Sequence, residues 1–377
     1  MLELRVVATP AGLHAVVVPD VAVLRRKRIV NVRELIRFEL EGLSVALPPQ
    51  QQVCGFEVRM PRAATAEEPP HVSRLRALVE QLLPRPQAVH ADANLELDLG
   101  LDSIERVELL AAIEQQLGVR LESEAIACAF TVRELADATR SAGNARPTSA
   151  DWQSILARTT LTPAQQAGLA GERPLTAALC FMVFRLLSVL VFRPRVHGLE
   201  HLPSSGPFIL APNHQSFLDA AVLAGVLPFT IFRRMFAVGA TEYFETSISA
   251  WLAAQVNIVP VDPDANLVPA LQAGAFGLRA GKILLLFPEG ERSIDGTVKT
   301  FKRGAGILAR QLHVPIVPVA IDGMFQVWPR ARPFRWTKLL PWSGHRVRIA
   351  FGLPLPPGEH AKLREEVDRM WNELHNG

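Results

Sequence analysis

Residues 208–219 read FILAPNHQSFLD. The run at 208–211 is short and fully apolar, as in a strand buried on both faces, and apolar residues at 216–224 then recur at helical spacing. A strand running straight into a helix is the building unit of an α/β layer. His214 and Asp219 sit five residues apart, which on one continuous helix would turn them about 140° from each other. They meet only if His214 lies in the loop ahead of the helix. In that arrangement the imidazole can take a proton from a hydroxyl while the carboxylate fixes its tautomer and steadies its positive charge. The competing role is purely structural: Ser216 caps the helix and Asp219 reaches back as in a capping box.

The surrounding sequence repeats the alternation. Runs at 257–261, 283–287 and 316–321 have the same buried-strand character, and 266–279 and 304–312 read as helices. Residues 175–377 are therefore expected to form an α/β domain with a mixed sheet flanked by helices. Three strings follow in order: NHQSFLD at 213–219, FPEGERS at 287–293 and VPIVPVAI at 314–321. Together they resemble the phospholipid and glycerol acyltransferase family, over residues 196–355.

That resemblance implies roles residue by residue. His214 is the general base and Asp219 orients it, while Glu289, Gly290 and Arg292 shape the acceptor pocket. A guanidinium at Arg292 suits phosphate, because its planar fork binds oxygens in pairs. Lys302 and Arg303 add charge beside it, and Pro315 helps shape the acyl-side pocket. Against these stand plain alternatives, a surface cation for Arg292 and a solvated helix start for Lys302. One departure stands out. Members using glycerol phosphate commonly close the strand matching VNIVPVDPD (256–264) with an Arg, and here that position is Pro263. No metal site or nucleophilic serine is expected in this domain; GERS is not the GxSxG of hydrolases.

Upstream, residues 95–110 read LELDLGLDSIERVELL, an acidic loop running into a helix at Ser103. Ser103 itself would make an ordinary helix N-cap, although Ser-Ile-Glu-Arg lacks the Glu three positions on that a capping box needs. Helices at 71–83, 103–117 and 131–139, with a long first loop, suit a four-helix bundle over 71–140. The segment is similar to an acyl carrier protein. The resemblance implies covalent 4′-phosphopantetheine on Ser103, preceded by Asp102, with Glu105 and Glu108 facing partner enzymes. It also implies a phosphopantetheinyl transferase as a partner. A long arm ending in a thiol carries an acyl chain as a reactive thioester, and acidic helices steer it to basic partners.

Residues 1–60 read as a small α/β piece: a hairpin from 4–9 and 13–18 across Pro10-Ala11-Gly12, a helix at 29–43 and a strand at 53–60. Through HAVVVPD (14–20) and RKRIVNVRELIRFELEGLSVALPP (26–49) it resembles the C-terminal lid of fatty acyl-AMP ligases. The lysine of that family is missing, since no Lys occurs between Lys27 and Lys282. The piece is expected to be a remnant or docking surface, so a separate ligase must load the carrier.

Charge is uneven. Residues 71–140 hold 12 acidic against 7 basic residues, whereas 175–377 hold 15 against 21. An acidic middle and a basic end can attract each other, or the basic end can meet anionic lipid. The basic residues are scattered outside any recognisable motif, which argues against nucleic acid. Cys54, Cys128 and Cys180 lie far apart with no CxxC pair, against a disulfide framework or zinc site and in keeping with a reducing compartment. The opening MLELRVVATP lacks the layout of a signal peptide. Residues 61–70 and 141–174 read as linkers. At 175–192, LTAALCFMVFRLLSVLVF is at the short limit for spanning a bilayer and carries Arg185 near its middle. Lying in the membrane interface suits it better.

The expectation is a cytoplasmic O-acyltransferase, peripheral on the inner membrane face and like a 1-acylglycerol-3-phosphate O-acyltransferase. It moves an acyl group from a phosphopantetheine thioester to a hydroxyl of a lysophospholipid, glycerophosphate or polyol. The alternatives are a non-catalytic carrier and membrane-docking module, or a thioesterase releasing the acyl group to water.

Overall fold

The computed structural model describes residues 3–10, 12–26, 29, 31–45, 47–59, 68–119, 121, 129–142, 152–158, 161–171, 174–239, 257–261, 267–330 and 332–377. They fall into two compact units, one holding residues 1–155 with 263–268, the other 156–262 with 269–377.

In the first unit, β1 (Glu3–Thr9) and β2 (Gly12–Val18) form the antiparallel hairpin that Pro10-Ala11-Gly12 announces. A short helix, α1 (Val21–Arg26), leads to α2 (Val32–Ser44), and β3 (Val53–Val58) returns parallel to β2. Ala15, Val17, Leu24, Val32, Ile36 and Leu40 make the core of this piece, and Phe130 from the following bundle completes it. Glu96 accepts hydrogen bonds from the Val32 and Arg33 N–H groups at 2.6 and 2.9 Å, and Arg25 pairs with Glu134. A carboxylate at a helix N-terminus satisfies orphan donors and complements the dipole. The regions expected at 1–60 and 71–140 thus belong to one unit.

The bundle contains α3 (Pro70–Leu82), α4 (Ser103–Leu117) and α5 (Val132–Ser141) around Leu75, Val79, Leu95, Leu109, Ile113 and Leu135. The expected fourth helix has no counterpart among the described residues; residues 122–128 lie outside them. The long loop is pinned by Asn94, whose side-chain oxygen accepts from the Glu96 and Leu97 N–H groups, and by the Leu95 N–H donating to Phe130 O.

The second unit opens with α6 (Trp152–Ala157), which straddles the division, then α7 (Pro163–Ala170) and α8 (Pro174–Leu187), which widens into a π-turn over Ser188–Phe192. Its seven-stranded sheet has the order β4-β10-β9-β5-β8-β6-β7, with β4 (Arg195–His197), β5 (Phe208–Pro212), β6 (Met235–Gly239), β7 (Ile258–Pro260), β8 (Ile283–Leu285), β9 (Ile316–Asp322) and β10 (Arg348–Phe351). Only the β9–β10 pairing is antiparallel, so the sheet is mixed. Every residue of β5 and β9 is buried, the reason 208–211 and 316–321 read as unbroken apolar runs, while Asp322 at the end of β9 is paired with Arg348. Helices α9 (Asp219–Val226), α10 (Phe229–Phe232), α11 (Leu267–Arg279), α12 (Gly304–Leu312) and α13 (Leu363–Asn376) complete the unit.

Arg185, near the middle of the apolar 175–192 stretch, is exposed. Its Nη1 donates to Gly225 O at 3.1 Å, capping the last turn of α9, where a cation also complements the dipole. Gly225 is required there, since a Cβ would collide with Ser188 and the Phe184 backbone. Ser188 Oγ adds a bond to Val222 O at 3.2 Å. Among the described residues, no helix is long and apolar enough to cross a membrane.

Candidate active site

β5 and β8 run parallel with Ile209 opposite Leu284, so the chain leaves both strands at the same edge of the sheet. Ligands of open α/β sheets bind outside such carboxyl ends. The polar string 213–216 emerges there, and so does the 287–293 loop.

Helix α9 begins only at Asp219, leaving His214 in the loop before it. His214 Nδ1 lies 2.9 Å from Asp219 Oδ2, and that oxygen also accepts the Gln215 and Ser216 N–H groups at 2.6 and 2.7 Å. Asp219 is fully buried, while the His214 side chain keeps 20% of its surface exposed. The structural and catalytic readings of Asp219 therefore coincide in one atom. Ser216 differs from its expected role: its hydroxyl accepts from the Leu218 N–H, and the helix N-cap position is Leu218. With Nδ1 held by a carboxylate, Nε2 is the nitrogen left to exchange a proton.

The 287–293 loop grips His214 from the other side. Phe287 stacks on the imidazole with centroids 3.9 Å apart. Glu289 Oε1 accepts the His214 backbone N–H at 3.1 Å, and the Ser293 N–H donates to His214 O at 2.7 Å. Glu289 is 3% exposed, and its second oxygen finds no partner among the described residues. Burial pushes its carboxyl up to about 8; the His214 N–H and the charge of Lys299 offset part of that, and Asp219 adds to it. The carboxylate that carries cations is its neighbour Glu291, bonded to Lys299 at 3.0 Å and to Arg330 at 3.1 Å.

This burial has a consequence for stability. A carboxyl raised from about 4.5 to about 8 by folding makes the folded chain bind more protons than the unfolded one between those values. Stability is thus fullest below pH of about 4.5 with respect to this group and falls as pH rises towards 8, by on the order of 4 kcal/mol. Glu289→Gln, which imitates the protonated form, is expected to flatten that slope in chemical unfolding across the window. An unchanged slope would place the proton elsewhere.

Gly290 has φ of +75°, and a Cβ there would press on the Lys302 side chain, with Nζ at 2.9 Å. The backbone conformation is what requires glycine here, since the exposed end of the Lys302 side chain can swing aside. Lys302 is exposed and its N–H donates to Pro288 O at 2.7 Å, while Arg303, also exposed, stands at the N-cap of α12. The Arg292 guanidinium lies 3.2 Å over the Phe217 ring, a cation–π arrangement two residues before Asp219.

Pro315 is not gathered here. Its carbonyl accepts from Ile209 N–H, and Ile316 pairs with Ile209, which puts it at the opposite edge of the sheet. At about 3.3 Å per strand residue, five or six residues separate its level from His214, roughly 15–20 Å. Pro263 lies outside the described residues.

Sequence reasoning passed over Asn213, Gln215 and Ser293, all buried. Asn213 bonds both backbone groups of Ile321 at 2.7 and 2.9 Å, and Gln215 links Gly296 O to the Phe325 N–H. Their signal was a polar string directly after a buried strand, where each side chain must find partners.

At Ser103 the cap is shifted by one residue from the sequence expectation. Asp102 is the N-cap; its side chain accepts from the Ile104 and Glu105 N–H groups, and Glu105 returns a bond to the Asp102 N–H. The capping box is complete, and it leaves the half-buried Ser103 hydroxyl out of the cap. Trp152 Nε1 donates to Glu108 at 3.0 Å.

Comparison with known proteins follows the same two regions. A chloroplast 1-acyl-sn-glycerol-3-phosphate acyltransferase of Brassica napus is 32% identical over 142 residues, 37% of this chain and 40% of that protein. The human 1-acyl-sn-glycerol-3-phosphate acyltransferase alpha is 30% identical over 145 residues, 37% of this chain and 50% of its own. The match thus spans two-fifths to half of these curated relatives. A crystal structure of the 1-acyl-sn-glycerophosphate acyltransferase from Thermotoga maritima aligns with TM-score 0.43 and 25% identity, covering 59% of this chain and 87% of that one. Residues 193–322 match the family model described as Acyltransferase and residues 73–139 the model described as Phosphopantetheine attachment site, so the chain carries an acyltransferase-family domain and a phosphopantetheine-attachment domain.

Proposed function

We propose that this chain is an O-acyltransferase that moves an acyl group from a phosphopantetheine thioester onto a lipid hydroxyl, with Ser103 carrying the phosphopantetheine. The observation that bears most weight is the His214–Asp219 contact of 2.9 Å, made in a loop whose backbone is clamped at His214 by Glu289 and Ser293. His214 Nε2 withdraws the proton from the acceptor hydroxyl, Asp219 steadies the imidazolium, and the acceptor oxygen attacks the thioester carbonyl to release the thiol. No covalent acyl-enzyme is needed. At Ser103 the residues fit a phosphate ester: the hydroxyl is outside the cap, and it sits in the first turn of α4, where the helix dipole favours negative charge. The group supplies a thiol on a flexible arm that presents the acyl chain.

Arg292 is the proposed acceptor cation, its planar face held by Phe217. A buried dianion needs more than one fixed charge, and the sequence places Pro263 where a second Arg is common. A phosphodiester or a lipid alcohol therefore suits the pocket better than glycerol 3-phosphate. Lys302 and Arg303 supplement the charge from the exposed side. Glu289 serves His214 more directly than the acceptor, through the backbone bond of 3.1 Å. The N-terminal piece is read as a ligase-lid remnant that has become part of the carrier unit, with acyl loading left to a separate ligase and pantetheinylation to its transferase.

Attachment to the inner membrane face is proposed from α8. Leu179, Met182, Val183, Leu186 and Leu190 recur at helical spacing and are all exposed.

The test is a competition among glycerol 3-phosphate, lysophosphatidic acid, zwitterionic lysophospholipids and polyols, using acyl-loaded protein and mass analysis of the products. Arg292→Ala is expected to lower transfer to phosphate-bearing acceptors by about 10–100-fold, the usual worth of a charged hydrogen bond, and to spare uncharged ones. Equal losses for all acceptors would assign Arg292 to the fold, and release of free acid alone would identify a thioesterase.

A further inference from the structure

From Asp322 to Glu359 the chain holds no acidic residue, yet it carries Arg330, Arg332, Arg335, Lys338, Arg346 and Arg348. Two of these are committed internally, Arg330 to Glu291 and Arg348 to Asp322. Within the same stretch Trp336 and Trp342, on short 3-10 turns, are 61% and 78% exposed. Two tryptophans facing water on a strip without negative charge are costly unless something covers them, because each ring offers a large apolar surface.

The strip is joined to α8 and to the catalytic edge. Arg193, just past the π-turn that ends α8, donates to Leu339 O at 3.2 Å, which ties the end of that turn to the 3-10 turn carrying Trp336. From Phe334 a ladder of rings runs inward: Phe334 to Trp328 at 5.3 Å, Trp328 to Phe217 at 4.9 Å, and Phe217 beneath Arg292.

We propose that residues 332–346 form, with α8, a surface that docks on an anionic lipid bilayer, and that the Phe334–Trp328–Phe217 ladder places the His214 edge beside it. Indole rings partition to the headgroup level, and arginine and lysine stems reach along apolar surface while their charges meet lipid phosphates. An acidic protein would satisfy the cations but leave the α8 stripe and both indoles facing water; a bilayer covers all three. The purpose of the surface rests on the lipid-acceptor reading above, but the binding itself does not.

The experiment uses full-length protein, sedimented with vesicles of phosphatidylcholine alone or mixed with phosphatidylglycerol. Tryptophan emission is followed with brominated lipid. The parent is expected to partition into the anionic vesicles and to show bromine quenching. At about 1 kcal/mol per cation near the surface, Arg332→Gln/Arg335→Gln/Lys338→Gln should weaken partitioning on the order of 100-fold. Trp336→Ser/Trp342→Ser should weaken it roughly tenfold and remove most of the quenching. The single variant Trp342→Ser, checked for an unchanged Tm, guards against a folding defect. Both tryptophan variants should keep parental turnover of a water-soluble short-chain acceptor while losing turnover of a vesicle-borne one. Parent that stays in solution, variants that partition like the parent, or equal loss on both acceptors would overturn the proposal. His214→Ala should bind vesicles as the parent does; bound parent that transfers no acyl group would sink the catalytic reading and leave this one standing.

Discussion

His214→Ala is expected to lower acyl transfer by about 10²–10⁴-fold, the usual contribution of a general base, or roughly 3–5 kcal/mol of barrier. The loss should fall on kcat, with KM for the acceptor little changed, since the imidazole acts on the proton that leaves and not on the headgroup. Asp219→Asn separates the two jobs of one oxygen. The amide oxygen can still accept the Gln215 and Ser216 N–H groups, which hold the loop. It no longer offers a negative charge to the imidazolium, so turnover should fall by a comparable factor while the fold survives. Single-turnover transfer measured beside Tm decides the matter. A lowered Tm with full turnover would make Asp219 a loop anchor only.

Ser103→Ala is expected to abolish phosphopantetheine attachment outright. Coexpression with a phosphopantetheinyl transferase should add one group to the parent, seen by intact mass, and none to the variant. Helix α4 should persist in the variant, because Asp102 and Glu105 make the cap without the serine hydroxyl. A serine that had been the N-cap would instead cost about 1 kcal/mol on replacement by alanine. The carrier unit's thermal stability therefore provides an internal check on the geometry. A modification that survives Ser103→Ala would relocate the attachment site and remove the carrier assignment at this position.

Much of this was legible in the chain itself. Strands β5 and β9 announce themselves because they are buried on both faces, so their residues are apolar up to Asp322 at the end of β9. Helix α4 covers 103–117 as its sequence reads, although its N-cap is Asp102 and not Ser103. Less visible were β4, β6, β10 and α13. Strand β4 is three residues long and largely exposed, and α13 went unread although Leu363, Val367, Met370 and Leu374 recur at helical spacing.

The sequence by itself determined the α/β layering, the presence of His214 and Asp219 on one strand-to-helix turn, and the acidic entry to Ser103. These are local matters, set by neighbours in the chain and by side-chain periodicity. Tertiary structure alone decided which partners those residues meet. Glu289, expected at the acceptor, faces the His214 backbone across 75 residues of chain, and only the pairing of β5 with β8 brings them together. Pro315, expected beside the acyl chain, stands at the far edge, because the register of β5 and β9 fixes which end of a strand a residue occupies. Register is a property of two segments at once, and no single segment carries it.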